Sequence, residues 1–212
     1  FGEYLLNGHL QDRVGLPLVM GRFGDAAMTQ IAIEEWMAAS PVYSQRMQRA
    51  LRFPGHDVST IFKNIQLDIG AAHQFMDFRY RLDSPTYGEF WLAGCGALID
   101  VEPFGEARVR SMCHDIEDPT FDATAATAHP CAKVRPIHRP PRVPADREPH
   151  CHWRVFIDGE SVPYAQHPNH ERLRTSLLAA IPLTLPAGGG QPGGWGDYAG
   201  PVDPGFQLEV LS

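Results

Sequence analysis

Lysine is almost absent from this 212-residue chain, which holds only Lys63 and Lys133. Arginine does not make up the difference: 18 basic residues face 25 acidic ones, for a formal net charge of −7. That balance speaks against a nucleic-acid interface and against a polybasic membrane footprint, both of which need a positive field. No apolar run approaches the roughly 18 to 20 residues of a membrane span, so no membrane partner is expected. No internal repeat is visible, and the G-x-S-x-G, Walker A and H-E-x-x-H motifs are missing, which removes several hydrolase and nucleotide-binding families. The chain opens Phe1-Gly2-Glu3-Tyr4, without an initiator Met or a basic-then-apolar signal pattern, as a trimmed chain would. Few Lys among many Ala, Gly and Pro suggest a GC-rich bacterial source.

Cysteine is also scarce. Cys95, Cys113, Cys131 and Cys151 lie 18, 18 and 20 residues apart, with no C-x-x-C pair. Zinc ribbons and thioredoxin-type motifs are therefore excluded. A chain able to build its own core has little need of a disulfide scaffold. Free or metal-bound thiols in a reducing cytoplasm are expected.

What is present is globular. Hydrophobic residues make up 43% and charged residues 20%, close to the averages for folded domains. Residues 1–24 carry weak periodicity and read as an extended lead-in. From Asp25, a plausible N-cap, an amphipathic helix runs to Ser40-Pro41, which interrupts it, and a second covers Val42 to Phe53. A third is expected from Asp57 or Ser59 to Ile69. Then the period changes to two: from Met76 to Asp83 every even position is apolar and every odd one charged, the pattern of a half-buried strand. Tyr87 to Leu92 is its return strand. Ala97–Glu102 and Ala107–Met112 flank Pro103-Phe104-Gly105-Glu106 and read as another hairpin. Asp118 would cap a helix opening at Pro119 and ending before Pro130, Trp153–Asp158 is a later strand, and Glu171–Ala180 a last helix. The predicted class is α+β: N-terminal helices on a mostly antiparallel sheet, forming a single domain over 25–185. A Pro/Arg-rich loop at 135–149 would act as a lid, and a Gly/Pro-rich arm or linker would occupy 186–212. The apolar pattern restarting near Phe206 is that of a chain continuing beyond Ser212.

Histidine carries the functional signal. Seven of the ten histidines fall within residues 114–170, together with three of the cysteines once Cys113 is included. Imidazole and thiolate are the ligands and proton carriers that work near neutral pH. Two knots stand out, Cys113-His114-Asp115-Ile116-Glu117-Asp118 and His150-Cys151-His152. If each sits at a strand end, both can meet at one rim of the sheet. Adjacent strand residues point to opposite faces, so either His150 with His152, or Cys151 alone, would join such a site. Each residue also has a plainer role open to it: Asp118 as a helix cap, Cys113 as a core thiol, the histidines as ordinary structural groups. In Arg135-Pro136-Ile137-His138-Arg139-Pro140-Pro141-Arg142 the prolines hold a loop that can present guanidinium forks to a substrate carboxylate, or simply salt-bridge it to the acidic body.

Gly55-His56-Asp57-Val58-Ser59-Thr60-Ile61-Phe62-Lys63 in a helix, a strand ending near Phe90 to Cys95, and Cys113-His114-Asp115 beyond it together resemble the L-2-amino-thiazoline-4-carboxylic acid hydrolase-like proteins over roughly residues 25–125. That resemblance implies an α+β domain with a ligand pocket and hydrolysis of a small cyclic amidine-like substrate.

Three functions are then expected alternatives. The first is an enzyme hydrolysing a non-peptide C–N bond in a small carboxylate-bearing substrate. In it a divalent metal such as zinc, held by His114 with His150, Cys151 or His152, would activate water. Asp115 or Glu117 would move protons, Asp118 would take part, and Arg139 and Arg142, with Trp91, would bind the substrate. A metal-free version makes Cys113 the nucleophile. The second is a small-molecule-binding module enclosed by the aromatic sheet face (Phe78, Tyr80, Trp91) and the helices, its His/Cys cluster being a structural metal site. The third is an assembly subunit, an oligomer or a partner complex docking through residues 186–212.

Overall fold

The computed structural model describes residues 11–68, 75–160 and 168–183. The arm at 186–212 lies outside them, as does the restart near Phe206. Helix α1 covers Leu16–Phe23, α2 Asp25–Leu51 and α3 Val58–Gln66. Strands β1, Met76–Ser84, and β2, Tyr87–Cys95, follow. Next come α4, Gly96–Val101, α5, Glu106–Arg110, and α6, Glu117–Ala126. Strands β3, Ala132–His138, and β4, Cys151–Ile157, complete the sheet, and α7 spans Pro168–Arg174. The four strands pair antiparallel throughout in the order β1-β2-β4-β3. This is the α+β class that the sequence order of helices and strands implies. Among the described residues no helix is long and apolar enough to cross a membrane.

The strand alternation of 76–82 is realised as read: Met76, Phe78 and Tyr80 are buried while Asp77, Arg79 and Arg81 face outward. On the inner face they meet Phe90, Leu92, Cys151, Trp153 and Val155, and α3 lays Val58, Ile61, Phe62 and Ile65 over this layer. Asp57 caps α3, its Oδ1 accepting from the Thr60 amide at 2.8 Å. Contact between α3 and the sheet is close at Gly88, where an added Cβ would come within 2.8 Å of both the Phe62 ring and the Arg81 carbonyl oxygen.

Several expected boundaries move. Residues 16–23 are helical, not an extended lead-in. Asp25 sits in the first turn of α2, behind Gly24 as the cap residue. Pro41 does not divide α2, which continues through it to Leu51; one missing backbone donor is tolerated where a long helix is packed along its length. The second hairpin is absent. Ala97–Glu102 is helical, and residues 106–126 form one rod in which α5 passes through a π-helical segment, Ser111–Ile116, into α6. Gly105, at φ +91°, is the break before the rod. Asp118 consequently lies inside a helix and caps nothing; Pro119 is accommodated directly after the π segment, where the regular donor ladder is already disturbed. Residues 135–138, expected in an irregular loop, pair with β4 as part of β3. Pro136 is tolerated there because β3 is an edge strand. The last helix begins three residues earlier than expected and ends at Arg174.

Candidate functional site

The two knots do not build the expected centre. Cys113 is buried on the π segment, within electrostatic reach of Cys95, Cys151 and Glu117. All of the described cysteines are free. Burial pushes the Cys95 thiol up to about 12, and Cys113 and Cys151 well above the ordinary thiol range. The thiolate is the nucleophile and the metal ligand, so these three groups are neutral packing atoms near neutral pH. His114 donates from Nε2 to the Pro140 carbonyl at 2.7 Å, which ties the 139–150 segment to the rod. Asp115 is exposed. His150 accepts the Cys95 amide at Nδ1 (3.0 Å) and turns Nε2 toward Glu148. His152 lies on the outer sheet face, 2.8 Å from Glu89 Oε2 and edge-on to Trp91, while Cys151 points inward. Among the described residues no three His, Cys, Asp or Glu side chains are grouped to hold a metal ion. The donors present do not fit the expected divalent centre, and no chemical step is routed through one.

The arginine loop is fastened in place. Arg139 pairs with Asp118 and lies over the Trp153 ring, 5.7 Å from its centroid. Arg142 pairs with Glu102 at 3.0 Å. Both guanidinium groups are thus satisfied by protein carboxylates, and neither Arg139, Arg142 nor Trp91 lines the cavity described next.

That cavity, about 800 Å³, lies between the helical layer and the start of the sheet, at the upper end of the usual range for ligand sites. Helix α2 supplies one wall through Ala32, Trp36, Ala39, Tyr43 and Arg46, steps of three and four that keep one stripe of the helix facing inward. Leu16, Pro17 and Met20 of α1 form a second wall, and Arg108, Met112, Ile116 and Glu117 of the rod a third. Phe75 and Met76 approach from the start of β1, and Leu173 and Leu178 from the C-terminal side. The lining is mainly apolar, with a few polar groups converging on it. Arg13 pairs with Asp100 at 2.9 Å, Arg46 donates to the Ala179 carbonyl at 2.8 Å, and Ser40 bonds both Thr124 and Asp68 where α2 meets α6.

Glu117 is the unusual member. It is 4% exposed, and its Oε2 is buried with no hydrogen-bond partner. Burial pushes its carboxyl up to about 8, against a smaller opposing pull from Arg139. Removing a carboxylate from water without a partner favours its neutral form, so at neutral pH Glu117 is mainly a protonated acid at the wall of an apolar cavity. The sequence reading placed Glu117 among the proton carriers but linked it to the histidine knots. Cys95, Cys113, Cys151 and Arg139 lie within its electrostatic reach, and it lines the cavity as well. The one local signal was the four-residue repeat Arg108, Met112, Ile116, a helical stripe within a segment whose apolar residues otherwise alternate like a strand.

Searches against family models, curated proteins and solved structures return no match to this chain.

Proposed function

We propose that this chain binds a small, largely apolar molecule in the cavity between α1, α2 and the 106–126 rod, with the Glu117 carboxyl as an internal polar contact. The observation that carries the reading is Glu117 itself. A buried carboxyl with an unsatisfied oxygen costs stability, and Glu117 is among the residues that line the cavity. A neutral carboxyl both donates and accepts, which suits a carbonyl, amide or hydroxyl on an otherwise apolar body. The size and lining of the cavity favour such a molecule over a small polar heterocycle, which would leave most of the volume open.

One observation also favours the hydrolytic reading implied by the family resemblance. A carboxyl poised at about 8 is a competent proton donor near neutral pH, and a leaving nitrogen beside Glu117 would receive that proton. In this version the acid is Glu117 and not the Cys113/His114 pair.

The binding reading is tested with an uncharged environment-sensitive dye, N-phenyl-1-naphthylamine. Saturable fluorescence enhancement is expected with the parent protein and not with Ala39→Trp, which places an indole in the cavity. Equal enhancement in the two proteins would refute the assignment.

A further inference from the structure

Arg108 sits on the rod two turns before Glu117. It is half-buried and lines the same cavity. Its guanidinium donates to the Ser111 hydroxyl at 3.3 Å and to the Met28 thioether at 3.7 Å. Ser111 is itself held by Thr29, 2.7 Å away on α2. No carboxylate lies within ion-pair distance of Arg108 among the described residues; Asp25 acts on it only from farther off. Of the other arginines lining the cavity, Arg13 pairs with Asp100 and Arg46 donates to the Ala179 carbonyl. A guanidinium carries five donors in a rigid fork. Among the described residues its hydrogen-bond partners are a hydroxyl and a sulfur, which is a weak acceptor. A partly desolvated arginine with that acceptor set, facing an apolar chamber, is a ready anchor for an anion.

The chamber's shape narrows the ligand further. Its stripe on α2 runs from Ala32 to Arg46, about 20 Å along the axis at 1.5 Å per residue. Apolar groups line it along that length, among them Ala32, Trp36, Ala39 and Val42. Such a stripe suits an elongated apolar body. Arg108 neighbours Met28 and Thr29 at the N-terminal part of α2, toward one end of the stripe.

From this we infer that Arg108 is a carboxylate anchor and that the ligand class is an elongated aliphatic monocarboxylate, its charged head on the guanidinium and its chain along α2. The inference rests on the cavity being a ligand site.

Displacement of N-phenyl-1-naphthylamine by dodecanoate and by dodecan-1-ol at pH 7 tests it, using the parent chain, Arg108→Gln and Arg108→Lys. The parent should bind dodecanoate more tightly than the alcohol. Arg108→Gln should weaken dodecanoate by about tenfold to a hundredfold, the loss of a charge-assisted contact, and change the affinity for the alcohol far less. Arg108→Lys should recover part of the loss. Thermal melts like the parent's show that the variants are folded, and retained saturable dye binding shows that the cavity is open. If dodecanoate binds no better than the alcohol, or is unaffected in Arg108→Gln, the anchor is refuted while the cavity remains a ligand site. If the dye binds neither the parent nor any variant, the cavity assignment fails and the anchor falls with it.

Discussion

Phe90 of β2 lies nearly parallel to Trp153 of β4, with planes 12° apart and ring centroids separated by 6.2 Å. Phe121 of α6 stands edge-on to both, 5.4 Å from Phe90 and 5.1 Å from Trp153. It is the aromatic link between the rod and the sheet. Phe121→Ala should therefore lower stability by about 3 to 5 kcal/mol, the usual cost of deleting a core aromatic. Urea denaturation measures it, and a loss below about 1 kcal/mol would mean the rod packs on the sheet without this contact.

Arg139, expected from sequence to clamp a substrate, is occupied by Asp118 and Trp153. Arg139→Ala should cost about 1 kcal/mol from the lost ion pair and ring contact and leave dye binding unchanged. Asp118→Ala should do no more, since Asp118 caps no helix. A large loss of dye binding in either variant would return the arginine loop to the site.

Glu117 gives the folded state an unusual pH dependence. Its carboxyl titrates near 8 in the folded chain and at about 4.3 when unfolded. Between those values the native state holds a proton that the unfolded state has released. Stability therefore falls as pH rises through this window, at up to about 1.4 kcal/mol per unit, and the dependence ceases above 8. Glu117→Gln keeps the shape and removes the titration. Its melting curve should match the parent's near pH 4 and lie well above it at pH 9. Parallel pH profiles for the two proteins would show that Glu117 is not buried as a neutral acid.

Gly105 holds φ +91° and ψ 175° at the start of the rod, a region open essentially to glycine alone. Nothing crowds its missing side chain, so any penalty for Gly105→Ala is conformational, of the order of 1 to 3 kcal/mol. A thermal melt at the parent's midpoint would show that the chain relaxes there without cost.

Strands β1 and β2 and the capped helix α3 were legible because one local rule decides each of them: strict alternation at 76–83, and an aspartate three residues ahead of the amide it caps. The 96–126 stretch misled because Ile99, Val101 and Val109 are β-branched and Pro103-Phe104-Gly105 imitates a hairpin turn. Tertiary packing overrides that preference: Leu98 and Val101, then Val109 and Cys113, reach the core at steps of three and four. Histidine density in sequence does not translate into one ligand cluster among the described residues, since His114, His150 and His152 each give a ring nitrogen to a separate local partner. The cavity was not legible at all. Its walls come from helices and a strand end scattered between Arg13 and Ala179, and no one window of sequence holds them together; Arg108 and Glu117 are nine residues apart on the rod.

Even those two should not share a wall. Nine steps along a regular α-helix, at about 100° each, leave two side chains half a turn apart, on opposite faces. Arg108 and Glu117 nevertheless meet one cavity because the π segment at Ser111–Ile116 behaves as a one-residue insertion, a register slip of about 100° that swings everything after it. Seen this way, the rod is an indexing device. Deleting a single residue within 111–116 would leave a regular helix with the two eight steps apart, about 80°, and still on one face; regularising the segment at constant length would instead turn Glu117 away from Arg108. The same rotation would move Phe121 off the Phe90–Trp153 pair, so chemistry and packing are set by one stretch of over-wide helix.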